Sequence, residues 1–120
     1  MERVTGIGGV FLKARDPKAL ARWYEQHLGI QFGDSSYVSF PASPGSAVFS
    51  FFKEDTKYFQ PSDKSYMINL RVQNLKDLMP ELEKEGVTIV GKVEDTEYGV
   101  FGWIMDPEGN KVELWEPNEK

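Results

Sequence analysis

Asp106-Pro107-Glu108-Gly109-Asn110-Lys111-Val112-Glu113-Leu114 reads as a tight turn that runs straight into a strand. Asp, Pro, Gly and Asn crowd the first five positions, where the chain must reverse. From Lys111 onward polar and apolar residues alternate. Lys111, Glu113 and Trp115 therefore share one face, while Val112 and Leu114 share the other and pack beneath helices. A slip of one residue would put Glu113 under the helices. An unpaired charge there costs on the order of 3–5 kcal/mol, against a total stability of about 5–15 kcal/mol for such a domain. The register is thus strongly determined.

Working outward, Val100 to Met105 and Val87 to Val90 read as two further strands. Before them, Leu75, Leu78, Met79 and Leu82 recur at helical spacing, with Asn74 as N-cap and Gly86 as the closing residue. Tyr66 to Val72 completes a βαβββ order. The first half repeats it. Val4 to Ala14 is strand-like, and Asp16-Pro17 opens a helix. Ala19, Leu20, Trp23, Tyr24 and Leu28 form its apolar face, and Gly29 ends it. Ile30 to Phe32, Tyr37 to Phe40 and Ala47 to Phe52 follow as short strand-like runs, separated by turns at 33–36 and 41–46. Residues 10–16 align with 68–74, placing Lys13 over Arg71, Asp16 over Asn74 and Leu20 over Leu78. The expectation is an α+β fold, one domain over 1–120. Module one runs about 1–56 and module two about 65–117, joined by a polar linker at Glu54 to Lys64.

Composition narrows the function classes. At 120 residues, the chain is long enough for one real core. The 40% hydrophobic and 28% charged content argues against disorder. The absence of cysteine removes disulfides, thiolate metal sites and thiol nucleophiles, and leans towards a reducing compartment. No apolar run is long enough to span a bilayer, and Met1-Glu2-Arg3 leads into a strand-like segment rather than a signal core. A cytoplasmic protein is expected. A net charge of −5 disfavours nucleic acid. Gly8-Gly9 opens no helix and is not a phosphate loop.

The segments Lys13-Ala14-Arg15-Asp16-Pro17, Trp23-Tyr24, His27-Leu28-Gly29-Ile30 and the closing 106–114 stretch together resemble the vicinal oxygen chelate superfamily. This is the superfamily of glyoxalase I, bleomycin-resistance proteins and extradiol dioxygenases. The resemblance implies two βαβββ modules in a curled mixed sheet around a central cleft, with helices outside. It also implies one divalent ion held by four inward side chains in metal-using members. Carried over residue by residue, those positions fall on Gly9, Met67, the 48–52 run (where Ser50 is the one candidate) and Glu113. Glycine has no side chain to offer, and a thioether poorly suits hard or borderline ions. One clear ligand out of four is too few for a catalytic zinc. No metal ligand set and no cofactor are expected, though substrate oxygens could complete a shell.

Within such a cup, Phe11, Lys13, Met67, Asn69, Arg71, Lys111, Glu113 and Trp115 project to one face. Glu113 is the candidate catalytic group, able to act as base, ligand or hydrogen-bond acceptor. Its competing role is an ion-pair partner for Lys13 or Arg71. Those two cations are candidates for binding an anion, or for rim salt bridges. Trp103 and Tyr98 are candidate pocket aromatics, or core. Trp23 reads as core. His27, the single histidine, sits in the last turn of a helix where its charge suits the dipole, and reads as structural.

The expected function is binding of a small organic ligand in an aromatic cup by a protein similar to glyoxalases and bleomycin-resistance proteins, without the usual metal. The alternative is a metal-dependent lyase, isomerase or dioxygenase, similar to lactoylglutathione lyase. A third possibility is an accessory domain whose cup is filled by its own side chains. A homodimer is expected, because curled sheets leave edges that need partners.

Overall fold

Asp16 and Pro17 start a helix for simple chemical reasons. The Asp16 carboxylate accepts the Ala19 backbone N–H at 3.1 Å, and Pro17 has no N–H to leave unmet. The computed structural model describes residues 9–41 and 47–118, together with Arg3, Ile7 and Gly45. Its elements are α1 (Pro17–Leu28), β1 (Ile68–Arg71), α2 (Leu75–Lys84), β2 (Thr88–Thr96), β3 (Gly99–Met105) and β4 (Lys111–Pro117). They form an α+β fold with a four-stranded mixed sheet in the order β1-β4-β3-β2. β1 runs parallel to β4, and the other pairs are antiparallel.

One face of the sheet is dry. Leu75, Met79 and Leu82 of α2 meet Ile104, Val112 and Leu114, and Trp23, Tyr24 and Leu28 of α1 pack against the same cluster. Val112 and Leu114 are fully buried beneath the helices, as the alternation requires. α2 comes so close that a Cβ at Gly102 would lie 2.9 Å from the Met79 sulfur. Glycine is what permits that crossing.

Several boundaries differ from the sequence reading. β1 is shorter than 66–72, and β2 continues to Thr96 rather than stopping at Val90. The extension pairs with β3 beyond a register shift between Val90 and Glu94. Its polar residues look like a turn because the strand lies at the sheet edge, where side chains face water. Asn74 precedes α2 but caps nothing with its side chain and takes a left-handed φ of 52°. The Leu75 N–H is met instead by Glu116 of β4 at 3.1 Å, a carboxylate at a helix N-terminus.

The larger difference concerns the first half. α1 forms as expected, but none of the described residues in 9–14, 30–32, 37–40 or 47–52 belongs to a strand. Residues 4–6, 8, 42–44 and 46 of the expected strands and turns lie outside the described residues. Among the described residues the sheet is therefore a single βαβββ unit spanning 68–117, and the two-module expectation is corrected to that extent. The physical reason is that alternation is local, whereas pairing needs a partner edge brought from far along the chain. Phe11 and Phe51, the bulky apolar side chains of those runs, remain 94% and 88% exposed.

The turn at 106–110 holds α1 to the sheet. Buried Asp106 accepts the Asn110 and Glu108 backbone N–H groups, the Asn110 amide at 2.6 Å and the Tyr24 hydroxyl at 2.7 Å. Burial, then the Asp106 charge, pushes the Tyr24 phenol far above its ordinary value, so it remains a donor. Asn110 in turn accepts the Tyr66 hydroxyl at 2.6 Å. Glu108 receives the backbone N–H groups of Arg15 and Asp16, each at 3.0 Å. Asp106→Ala should cost at least about 3 kcal/mol because several buried donors lose their acceptor, whereas Tyr24→Phe should cost about 1–2 kcal/mol. Urea unfolding midpoints check both values. Similar small losses in the two variants would remove Asp106 from its central position.

Candidate functional site

The sheet face opposite the helices carries the chemistry. Register alone assembles it: Asn69 of β1 and Trp103 of β3 both lie opposite Glu113 of β4, one on each side. The Asn69 amide donates to Glu113 Oε1 at 2.7 Å, and the Trp103 indole N–H donates to Oε2 at 2.9 Å. A third donor comes from outside the sheet. The Tyr58 hydroxyl reaches Oε2 at 2.5 Å, within the range of short bonds to an ionised acceptor. Glu113 is buried at 8% exposure, so its charge is stabilised by these three bonds rather than by water.

Aromatic rings wall the carboxylate. Phe101 stacks on Trp103 at 6.2 Å and on Trp115 at 6.0 Å, a row set by cross-strand and alternate-residue spacing. Tyr58 meets Trp103 edge to face at 6.2 Å and stacks on Phe52 at 5.6 Å. The Lys111 ammonium donates to the Tyr58 carbonyl at 2.5 Å and lies 5.1 Å from that ring's centre. Burial and the bond to Glu113 raise the Tyr58 phenol well above its ordinary value, so it stays protonated and donating.

The expected residues are only partly gathered. Glu113, Asn69 and Trp103 meet directly, with Lys111 beside them. Arg71 and Trp115 are paired in register on the same face, next to that group. Met67 is half-buried just ahead of β1. Phe11 and Lys13 are exposed, unlike the buried Glu113. Tyr98 is 69% exposed in the β2–β3 turn, and its carbonyl, not its ring, receives the Trp115 indole N–H at 2.9 Å. His27 pairs with Glu85 at 2.6 Å, away from this face.

Tyr58 is the residue that sequence reasoning missed. It lies in the 54–64 segment, read as a polar linker. The available signal was the Tyr58-Phe59 pair, apolar bulk that a purely solvated linker would not need.

Burial lowers the Lys111 ammonium from the ordinary lysine value of 10.5, opposed by the Glu113 charge. The unfolded chain therefore holds this proton more tightly than the folded one, and Lys111 makes stability rise as pH climbs through the alkaline range towards 10.5. Lys111→Met should flatten that rise on the acid side of pH 10.5, as read by thermal melting. An identical slope in the variant would contradict the desolvated ammonium.

Comparison with known proteins adds five findings. A family model described as a glyoxalase-like domain matches residues 9–115. Two solved structures match part of the chain: TnmS3, an antibiotic-binding protein from Streptomyces sp. CB03234, and a member of the glyoxalase/bleomycin resistance protein/dioxygenase superfamily from Sphaerobacter thermophilus DSM 20745. The first is 27% identical over 42% of this chain and 41% of its own, with a TM-score of 0.39. The second is 28% identical over 41% and 40%, with a TM-score of 0.38, so each match spans about two fifths of either protein. A protein from the mobile metagenome of V. pseudocholerae covers 99% of both chains at 18% identity with a TM-score of 0.56, a likeness of fold. No curated protein is significantly similar to the chain. Among the described residues, no helix is long and apolar enough to cross a membrane.

Proposed function

The chain belongs to the glyoxalase-like domain family, and from that premise we propose that it binds a small organic ligand on the Glu113 face without a divalent ion. The observation that carries this reading is the state of Glu113, whose two oxygens already accept three neutral donors. An ion would have to displace those donors. The remaining family positions add a glycine, a thioether and the exposed Ser50 to the shell. Among the described residues, no three His, Cys, Asp or Glu side chains converge. The donor set does not fit a divalent metal, and a lyase or dioxygenase reaction through one has no support in it. What remains is a buried acceptor framed by Trp103, Phe101 and Trp115, suited to a ligand with an aromatic body and one hydrogen-bond donor.

Two measurements test this reading. Elemental analysis after purification without chelator should find no stoichiometric divalent ion; one ion per chain, lost in Glu113→Ala, would overturn the metal-free site. A screen of aromatic fragments, followed through the indole N–H resonance of Trp103, should give hits that weaken at least about tenfold in Glu113→Gln. Hits indifferent to Glu113 would place binding elsewhere.

The first-half runs support a second part of the proposal, that they complete the cup and are covered in a homodimer. Phe49 and Phe51 contact each other at 5.2 Å yet stand 72% and 88% exposed, an apolar surface with reason to be covered. Light scattering at micromolar concentration should give a dimer mass, and Phe51→Glu should shift it to monomer. A monomer in the unmodified protein would contradict this part alone.

A further inference from the structure

We propose, building on the Glu113 site above, that Tyr58 is an internal stand-in for the ligand, and that the ligand class displacing it is a neutral phenol. Four features of the site are matched to that one side chain. Its hydroxyl occupies Glu113 Oε2, its ring lies 9° from parallel to Phe52, its edge geometry to Trp103 is perpendicular, and Lys111 lies 5.1 Å from its ring centre. A site so fully complementary to a tethered phenol is complementary to a free one.

The tether is weakly built. Tyr58 belongs to no helix or strand, and it remains 39% exposed despite these contacts. The backbone hydrogen bonds of its segment are local turns, Thr56 N–H to Lys53, Gln60 N–H to Lys57 and Ser62 N–H to Phe59. Besides the Tyr58 hydroxyl itself, its polar holds are the Tyr58 carbonyl on Lys111 of β4 and the buried Ser62 hydroxyl on the Gly109 carbonyl of the turn before it. Segments with few buried contacts open at low free-energy cost. Exchange with a free phenol replaces O–H by O–H on Glu113 and ring by ring against Trp103, so Glu113 keeps all three donors, while the Lys111 ammonium exchanges the Tyr58 carbonyl for water. Apparent affinity is then the intrinsic affinity reduced by the fraction of molecules in which Tyr58 has moved away.

The same geometry excludes neighbouring chemical classes. An arene without a hydroxyl fills the ring positions but leaves a buried carboxylate one donor short. An aliphatic alcohol supplies the donor without the ring contacts. An arylammonium ion is disfavoured by the Lys111 charge, and a phenolate by Glu113. The neutral hydroxylated arene satisfies all four features.

The test uses 4-methylphenol, the free analogue of the tyrosine side chain, with toluene as the control. Binding is followed through the Trp103 indole N–H, one of three tryptophan signals in the chain. Tyr58→Phe, which weakens the tethered competitor and keeps the ring, should bind 4-methylphenol about tenfold more tightly than the unmodified protein, equivalent to about 1.4 kcal/mol. Toluene should bind both proteins more weakly than 4-methylphenol. In the unmodified protein, 4-methylphenol should also speed tryptic cleavage at Lys57 as the segment leaves the sheet, a readout that needs no variant. Equal affinity in the two proteins with unchanged cleavage overturns the stand-in role. Equal binding of toluene and 4-methylphenol, or binding of neither, overturns the phenol class. If other fragments still bind in a Glu113-dependent way, only this inference fails; if none does, the underlying site reading fails with it.

Discussion

Asp106 is the point on which the other contacts depend. Its carboxylate is buried and gathers two backbone N–H groups, the Asn110 amide and the Tyr24 hydroxyl. Through Tyr24 it fixes α1, through Asn110 it reaches Tyr66, and by shaping the turn it sets where β4 begins. The position of β4 then decides which residues flank Glu113. A charge that would be costly if unmet becomes a junction once every donor around it has a place. Its neighbour Glu108 ties the entry of α1 to the same turn.

Much of this was readable in the sequence, and the reasons are local ones. Asp16-Pro17 and Gly29 bound α1 through capping chemistry confined to a few residues. The alternation at 111–115 set the register, because the face of each side chain follows from the pleat alone. Family membership was carried by the segments at 13–17, 23–30 and 106–114. What could not be read depends on residues brought together from afar. Asn74 has the right side chain for a cap, yet Glu116 does the work from the other end of the module. β2 runs six residues beyond Val90 through a polar stretch, because an edge strand need not look apolar. Tyr58 gives no periodic signal at all, since it is placed by two contacts to β4 rather than by any pattern of its own.

The site shows how a binding surface can follow from strand register with little additional design. Three neighbouring strands each place one polar or aromatic group in the same row, and the row is Asn69, Glu113 and Trp103. The next row along pairs Arg71 and Phe101 with Trp115. A carboxylate with two neutral partners in its own row is held as a hydrogen-bond acceptor, and among the described residues no three His, Cys, Asp or Glu side chains converge. The distinction matters because the fold alone is compatible with either use.

The strand order also has a consequence in time. β4 is synthesised last among the strands, yet it lies inside the sheet between β1 and β3. As the chain leaves the ribosome, β1 has no partner and α2 has no carboxylate at its N-terminus until Glu116 emerges. At ordinary elongation rates the wait is on the order of seconds. During that interval the β2–β3 hairpin can form, but the slot beside β1 stays empty. A newly made chain is therefore most vulnerable to chaperones, proteases and its own neighbours just before β4 appears. A chain stopped ahead of β4 would lose the strand that joins β1 to β3, and with it the sheet.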